Sequence, residues 1–318
     1  EIKQIASPTI LIPYTSQDFP PGPVASQGNL IASWDDLIWS ALTIGRPNIA
    51  YVFAHREASF YEALFRLSLI RLAVEQRFES GALYRTSAFR ALDLSEKGAI
   101  SYFLGMVICK LFADQMLQTP WLLHLDVFKD QLDLAIVRGR SRPDLVGQSK
   151  SGVWHVFECK GRSSVPGSEE RRKAKEQAQR LTRVDSTDCK LHVGAIAYFR
   201  QERLEFHWRD PEPKESKELV PFNVKLSKDA WRQYYAPAMA LGASTGVDRT
   251  SDRGAAADVD VEIHEEIRER LVMGEWEEAR TMAHEMRRTL VEEGFHPDGL
   301  RVRAGNTWHE KLGQASTS

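Results

Sequence analysis

Two carboxylates and one lysine near the middle of the chain have the types and spacing needed for phosphate chemistry. Asp144 follows a proline, and Glu158 and Lys160 come in the next apolar segment. Carboxylate oxygens are the ligands that Mg²⁺ prefers, and an ion held between them can activate a water and neutralise charge on a phosphoryl group. An ammonium group beside them can orient that water or stabilise the developing negative charge. These residues therefore predict a site for metal-assisted phosphoryl hydrolysis.

The segment 152–160 predicts a β-strand that carries two of these residues on one face. Side chains alternate along a strand, so Glu158 and Lys160 point one way and Cys159 points the other. A carboxylate and an ammonium at the end of an apolar strand are costly to bury unless they pair or bind something. Asp144 begins the preceding strand and is expected at the same end. The alternative is a simple salt bridge at the surface.

The elements around this strand predict an α/β core. Helical periodicity or strand-like alternation indicates helices over 60–78, 95–113 and 168–184, and strands over 121–128, 143–148, 152–160 and 191–199. Segments 204–208 and 221–226 predict further edge strands. Ser95 is the expected N-cap of the second helix, and Ser168 that of the third.

Composition divides the chain into four parts. Residues 1–94 predict an irregular arm (up to about residue 30) followed by a helical elaboration, and 95–242 predict the core. Residues 243–258 contain almost no large apolar side chain and are typical of a linker. Residues 259–318 predict a helical hairpin that turns at Gly274, and a tail.

Charge and composition narrow the class of protein. The net charge of the 318 residues is −2, yet 138–183 has a net charge of +7 and 255–318 one of −6. A basic middle beside an acidic end favours a local polyanion site. The longest apolar run is too short to span a bilayer, and the N-terminus lacks the pattern of a secretory signal. Cys109, Cys159 and Cys189 are expected to be reduced, buried thiols, so we predict a cytoplasmic protein without a membrane partner.

The sequences Pro143-Asp144 and Glu158-Cys159-Lys160 resemble the signature of the PD-(D/E)XK nuclease superfamily. The resemblance covers about 95–199. It implies a restriction-endonuclease-like fold, a mixed central sheet flanked by helices, and hydrolysis of phosphodiester bonds with Mg²⁺ or Mn²⁺. It would make Asp144 and Glu158 metal ligands, assign the backbone carbonyl of Cys159 to the same ion, and make Lys160 the catalytic lysine.

Two further positions agree with this family. Gln177 lies on the apolar stripe of the predicted 168–184 helix, where the family often has a polar residue beside the site. Glu96 lies at the start of another helix, where many members carry a glutamate that helps hold metal or water. Each has a structural alternative. Gln177 can border solvent, and Glu96 can favour the positive end of its helix dipole.

Arg140, Arg142, Lys150 and Arg162 flank the motif and are candidates for contacts with phosphates of nucleic acid. The resulting functional hypothesis is an endonuclease acting on double-stranded DNA in prokaryotic restriction or anti-phage defence. The alternatives are a repair or recombination nuclease and a catalytically inactive nucleic-acid-binding subunit. The acidic C-terminal hairpin suggests a surface for a partner protein or a second copy of the chain. The Trp231–Tyr235 segment could stack on bases or form a packed aromatic cluster.

Overall fold

A mixed β-sheet with helices on both faces forms the centre of the molecule, which confirms the α/β class. The structure is a computed structural model that describes residues 8–22, 24–44, 56–77, 79–125, 142–210, 222–226, 230–242 and 257–310. Nine strands of these residues pair in the order β2-β1-β4-β11-β10-β7-β6-β5, with β3 attached to β4. Their bounds are β1 Ile10–Gln17, β2 Gln27–Ala32, β3 Val74–Arg77, β4 Ala82–Arg85, β5 Trp121–His124, β6 Leu145–Gln148, β7 Trp154–Arg162, β10 Leu191–Arg200 and β11 Arg203–Arg209.

Two smaller sheets and a set of helices complete the described structure. A three-stranded sheet contains β8 Leu181–Val184, β9 Thr187–Asp188 and β12 Phe222–Val224, and a two-stranded sheet contains β13 Val259–Ile263 and β14 Leu300–Ala304. The helices are α1 Trp34–Thr43, α2 Arg56–Ala73, α3 Ser87–Ala91, α4 Leu94–Leu117, α5 Ser168–Ala178, α6 Arg232–Gly242, α7 Glu265–Val272, α8 Trp276–Glu292 and α9 Asn306–His309.

Helices α4 and α5 lie against opposite faces of the sheet. The parallel pairing of β7 with β10 sets Lys160 beside Ile196, so these two side chains share a face. Ala174 of α5 packs on that face against Ile196. On the other face, the Cys109 thiol of α4 lies close to the Cys159 thiol of β7. The strand end that carries the predicted motif is therefore enclosed between two helices.

The N-cap of helix α4 is Asp93 rather than the predicted Ser95, and it forms a capping box with Glu96. The Asp93 side chain accepts hydrogen bonds from the backbone N–H groups of Ser95 and Glu96, and Glu96 accepts one from the Asp93 N–H. These bonds satisfy N–H groups that have no partner within the helix. Among the described helices, α4 alone is long and apolar enough to cross a bilayer, and 72% of its most apolar window is buried inside the structure.

Three expectations about secondary structure are wrong in part. The helix predicted over 60–78 ends at Ala73, and Val74–Arg77 forms β3. The helix predicted over 168–184 starts with Ser168 as its first residue and ends at Ala178, and Leu181–Val184 forms β8. In both cases the strand residues continue the apolar spacing of the helix, but strand pairing decides their conformation. The strand predicted over 204–208 exists as β11 but lies inside the sheet rather than at its edge.

The N-terminal residues also differ from the expectation of an irregular arm. Residues 10–17 and 27–32 form β1 and β2, and β1 pairs in parallel with β11 inside the large sheet. Ile10, Ile12 and Tyr14 alternate along β1 and are buried in the core. Three of the nine residues between the two strands are prolines, and this composition obscures the alternation in the sequence.

The described C-terminal residues, 257–310, form a unit that we call the C-terminal module. It contains the predicted helical hairpin, α7 and α8, which turns at Gly274 with a positive φ of 78°. The antiparallel pair of β13 and β14 was not predicted. The linker expected over 243–258 lies outside the described residues except for 257 and 258.

Buried hydrogen bonds to Asp298 join this module to the rest of the fold. Its Oδ2 accepts from Trp39 Nε1 and from the Tyr234 hydroxyl, each at 2.7 Å. The Tyr234 hydroxyl in turn accepts from Lys110 Nζ at 2.8 Å, and Lys110 is 0% exposed. Burial lowers the pKa of Lys110 to about 7, although the charges of Asp298 and Asp114 act in the opposite direction.

The aromatic residues of the 231–235 segment form part of this packed region. Trp231, Tyr234 and Tyr235 are at most 1% exposed. The Arg280 guanidinium of the module lies 5.3 Å from the ring centroid of Trp231 and 5.0 Å from that of Trp121. The packed-cluster interpretation of this segment is therefore confirmed. The three cysteines are free and buried, as expected.

Candidate functional site

Asp144 lies where β6 begins, and its backbone is fixed from both sides. Its N–H donates to the Phe157 carbonyl of β7 at 3.1 Å, and its carbonyl accepts from the Leu125 N–H at 2.8 Å. The antiparallel ladder ends at the pair of Leu145 and Phe157, and Asp144 directly precedes it. The pairing of β6 with β7 thus brings the Asp144 carboxylate next to Glu158, which the sequence motif places in a separate segment.

The Asp144 carboxylate receives one hydrogen bond on each oxygen. Oδ1 accepts from the Tyr102 hydroxyl at 2.7 Å, and Oδ2 accepts from the Cys159 backbone N–H at 2.8 Å. A carboxylate oxygen has two lone pairs, so each oxygen keeps one for another ligand. The two donors bind different oxygens and thereby fix the orientation of the carboxylate.

Glu158 is buried beside Asp144, with only 1% of the residue exposed. Burial raises the pKa of Glu158 well above its usual value, and the charge of Asp144 raises it further, against the lowering effect of Lys160. No N–H or hydroxyl group of the described residues donates to its Oε2 atom, and a proton on Glu158 would be shared with the adjacent Asp144 carboxyl. A buried carboxylate oxygen that accepts from no donor is uncommon. A bound cation would supply the missing partner.

Lys160 completes the group from the same face of β7. Its Nζ donates to Glu158 Oε1, and its side chain is 28% exposed while that of Glu158 is 1% exposed. Burial lowers the pKa of Lys160, but the carboxylate of Glu158 outweighs this effect, and the net change is a raised pKa. The pair is therefore not an exposed salt bridge, because its acidic member is buried and its basic member is only partly exposed.

The carbonyl of Cys159 is well placed to be a third oxygen ligand. The N–H and C=O groups of one strand residue point to the same neighbouring strand, and the Cys159 N–H points to Asp144. Its carbonyl therefore also faces the Asp144 side, beyond the last pairing of β6. No group of three or more His, Cys, Asp and Glu side chains suited to a metal occurs within the described ranges. An ion here would accordingly have two carboxylate ligands, with main-chain oxygen and water completing its shell.

Sequence analysis did not identify Tyr102, although it contacts the site directly. Its hydroxyl lies 3.1 Å from His124 Nε2 as well as 2.7 Å from Asp144 Oδ1. Burial, followed by the charge of Asp144, raises the pKa of Tyr102, so the phenol stays protonated and donates. A tyrosine in an apolar helix usually indicates packing. Only its place one turn before Gly105, on the side of α4 that meets β7, could have suggested this role.

Two glycines allow α4 to approach the end of β7 closely enough for Tyr102 to reach Asp144. A Cβ atom on Gly161 would lie 1.7 Å from the Ser101 carbonyl oxygen, and one on Gly105 would lie 2.6 Å from the Lys160 carbonyl oxygen. Both distances are far below van der Waals contact. Backbone thus packs on backbone at this position, directly behind the candidate site.

Gln177 and Glu96 form no hydrogen bond with Asp144, Glu158 or Lys160. Gln177 lies in α5 between the buried residues Ala174 and Ala178, but its half-buried side chain makes no hydrogen bond with Asp144, Glu158 or Lys160. Glu96 is exposed, and its carboxylate is engaged in the α4 capping box. The structure thus gives Glu96 its capping role and provides no contact in favour of metal binding.

The described residues that were predicted to contact nucleic acid lie at different places in the fold. Arg142 is half-buried just before Pro143, and Arg162 ends β7, where its Nε lies 3.0 Å from Glu170 Oε1. Lys150 lies in the turn between β6 and β7, at the opposite end of the strands from Lys160, so it does not flank the site. Arg140 lies outside the described residues.

Comparisons with family models, with curated proteins and with solved structures returned no match to this chain.

Proposed function

We propose that this protein is a metal-dependent nuclease of the PD-(D/E)XK type that hydrolyses phosphodiester bonds of DNA. The observation that carries the proposal is the proximity of the Asp144 and Glu158 carboxylates where β6 and β7 meet, with the partly exposed Lys160 bonded to Glu158. The buried Oε2 atom of Glu158 supports the same proposal, because no N–H or hydroxyl group of the described residues donates to it and a bound cation would be its partner. The restriction-endonuclease-like core and the role in restriction or anti-phage defence are parts of this proposal that rest on the sequence resemblance.

Asp144, Glu158 and the Cys159 carbonyl would hold Mg²⁺ or Mn²⁺. The ion supplies a water of lowered pKa and neutralises charge that develops on the phosphoryl group. When Glu158 holds the ion, Lys160 would give up its hydrogen bond to Glu158, and its ammonium would face the substrate. Lys160 would then orient the attacking water or stabilise the additional negative charge of the transition state. Tyr102 and the Cys159 N–H would keep Asp144 oriented throughout.

The test is incubation of the protein with closed circular DNA, linear duplex DNA and RNA in the presence of Mg²⁺ or Mn²⁺. We expect closed circles to be cut, which would establish endonuclease action. Asp144→Asn, Glu158→Gln and Lys160→Met should each lower the rate by about 10² to 10³ or more, as expected when a ligand or a transition-state cation is lost. The control is Lys190→Met, an exposed lysine before β10, which should cut at the wild-type rate. Full activity in Lys160→Met would overturn the assignment.

A further inference from the structure

Five arginines gather at the sheet edge where β7 and β10 end, and we call this group the arginine rim. It comprises Arg85, Arg90, Arg162, Arg200 and Arg203, which come from β4, α3, β7, β10 and β11. Their side chains are 24%, 54%, 42%, 50% and 41% exposed, respectively. All five are therefore accessible at least in part. Only Arg162 was anticipated from the sequence.

Strand register connects three members of the rim, Arg162, Arg200 and Arg203, to Lys160. Because β7 and β10 are parallel, both strands end at the same edge of the sheet, and Arg162 pairs with Tyr198 there. Arg200 lies two residues beyond Tyr198 and pairs with Arg203 across the β10–β11 hairpin. Alternation puts Lys160, Arg162, Arg200 and Arg203 on one face. At roughly 3.3 Å per residue, Arg162 lies about 7 Å beyond Lys160 along the strand direction. Arg200, on the neighbouring strand β10, lies roughly twice as far in that direction.

The rim holds more positive than negative charge. Arg85 and Arg90 share one carboxylate, that of Glu202. Arg200 and Arg203 likewise share one carboxylate, that of Glu205. With Arg162 paired to Glu170, the five guanidinium groups are paired with three carboxylates among the residues that the structure describes, so these pairs leave two positive charges in excess. The chain as a whole has a net charge of −2, which makes this local excess a feature of the rim rather than of the surface in general.

Two of the arginines are held in place without using most of their donors. Arg90 gives one guanidinium nitrogen to Glu202 at 3.4 Å, and Arg203 gives one to Glu205 at 2.7 Å. A guanidinium carries five N–H donors. The shared carboxylates therefore orient these groups and still leave donors that match the oxygens of a phosphate.

We propose that the arginine rim binds the phosphodiester backbone of duplex DNA and guides it to Lys160. The proposal rests on the proposed nuclease function, because it takes Lys160 as the place where the scissile phosphate arrives. Planar, oriented guanidinium groups recognise phosphates through paired hydrogen bonds. A duplex is the polyanion that meets such a row with phosphates at regular intervals, and its release of counterions drives binding.

Binding of a short fluorescein-labelled DNA duplex, measured by anisotropy in EDTA over a series of NaCl concentrations, tests this proposal. Arg90→Gln and Arg203→Gln should each weaken binding about tenfold, since a hydrogen bond to a charged group is lost. Each should also reduce the slope of log Kd against log salt by about 0.9, the value for one phosphate contact. Arg303→Gln is the control, because Arg303 is 51% exposed and ion-paired with Asp260 but belongs to the C-terminal module. Circular dichroism verifies the fold of each variant.

The outcomes separate the rim from the catalytic proposal. Rim variants that bind duplex DNA with wild-type affinity and salt slope overturn the rim proposal, and so does weakening no larger than that of Arg303→Gln. Binding of RNA but not of duplex DNA overturns it as well. Rim-dependent binding without cleavage of any substrate supports the rim and refutes the nuclease function. Cleavage that persists unchanged in both rim variants, with unchanged binding, refutes the rim alone.

Discussion

The hydroxyl group of Tyr102 lies 2.7 Å from Oδ1 of Asp144 and joins helix α4 to the first carboxylate of the candidate site. The bond is directional, because the raised pKa of Tyr102, caused first by burial, keeps the phenol as the donor. The Cys159 N–H fixes the other oxygen. Asp144 therefore has a defined orientation before any ligand arrives.

Tyr102→Phe should weaken metal binding without unfolding the protein. The phenyl ring keeps the packing, but Asp144 loses a donor that orients it. Loss of such an outer partner typically weakens metal affinity by about 10- to 100-fold. Isothermal titration with Mn²⁺ measures the change, and excess Mn²⁺ should restore cleavage. Tyr84→Phe on β4 is the control and should bind as wild type. Unchanged Mn²⁺ affinity in Tyr102→Phe would show that the hydrogen bond does not position Asp144.

Gly161→Ala should lower the free energy of unfolding by about 1–3 kcal/mol or more, the range for overpacked sites. The new Cβ would lie 1.7 Å from the Ser101 carbonyl oxygen, so α4 must move and take Tyr102 with it. Urea denaturation measures the loss. Gly98→Ala on the same helix meets nothing within 4 Å, and it should instead stabilise by about 0.5–1 kcal/mol through helix propensity. Equal effects in the two variants would contradict the close-approach argument.

Glu158→Gln should raise the free energy of unfolding of the metal-free protein at neutral pH. Burial, then the charge of Asp144, raises the pKa of Glu158 above its ordinary value of 4.5. The folded protein thus holds this proton more tightly than the unfolded chain. Stability of the wild type then falls as pH rises from 4.5 through the raised pKa. Glutamine has no such proton, so the advantage of the variant should disappear below that range.

The measurement for Glu158→Gln is denaturation in EDTA across a pH series. Glu285→Gln, at an exposed position of α8, is the matched control and should show little difference from wild type at any pH. If Glu158→Gln is less stable than wild type at neutral pH, the ion pair with Lys160 outweighs the cost of the buried charge.

Lys110→Met should remove a component of stability that increases with pH. Burial lowers the pKa of Lys110 to about 7 from its ordinary 10.5. Between these values the unfolded chain binds the proton and the folded protein does not, so the free energy of unfolding rises with pH in this window. The difference in stability between wild type and Lys110→Met should therefore increase by up to about 1.4 kcal/mol per pH unit. A constant difference from pH 7 to 10 would place a charged ammonium in the core instead.

Asp298→Ala should destabilise the protein by about 3–5 kcal/mol, because it removes one charge of a buried network and strands its partners. Trp39 would lose its acceptor, Tyr234 would lose the nearer of its two acceptors, and Lys110 would lose an opposing charge. The control is Asp260→Ala, whose side chain is 54% exposed in the same module and should change stability by less than about 0.5 kcal/mol. A loss of less than 1 kcal/mol in Asp298→Ala would show that the module is held mainly by apolar packing.

The parts of the site that sequence could predict depend on local pattern. Alternation along β7 fixes the common face of Glu158 and Lys160, and the turn between β6 and β7 brings back Asp144. Tyr102, by contrast, reaches the site only because Gly105 of the helix and Gly161 of the strand let α4 and β7 come into backbone contact. Its role depends on the distance between α4 and β7, which the periodicity of the sequence does not predict.

The arginine rim and the Asp298 network were beyond sequence analysis for a related reason. Their members come from segments far apart in the chain, and each segment alone has the composition of an ordinary surface or core element. Short strands such as β3 and β8 were missed because four residues fit helical and strand periods equally well. Only pairing with a partner strand distinguishes the two.

The Asp298 network also has a consequence for folding during protein synthesis. Chains fold largely from the N-terminus as they leave the ribosome, and Lys110 emerges long before Asp298 does. Until Asp298 arrives, the core around Lys110 lacks the acceptor that binds Tyr234 and Trp39. We therefore expect the core of a ribosome-bound intermediate to stay loosely packed around Lys110. The hydrogen bonds of Asp298, once it is synthesised, complete the packing.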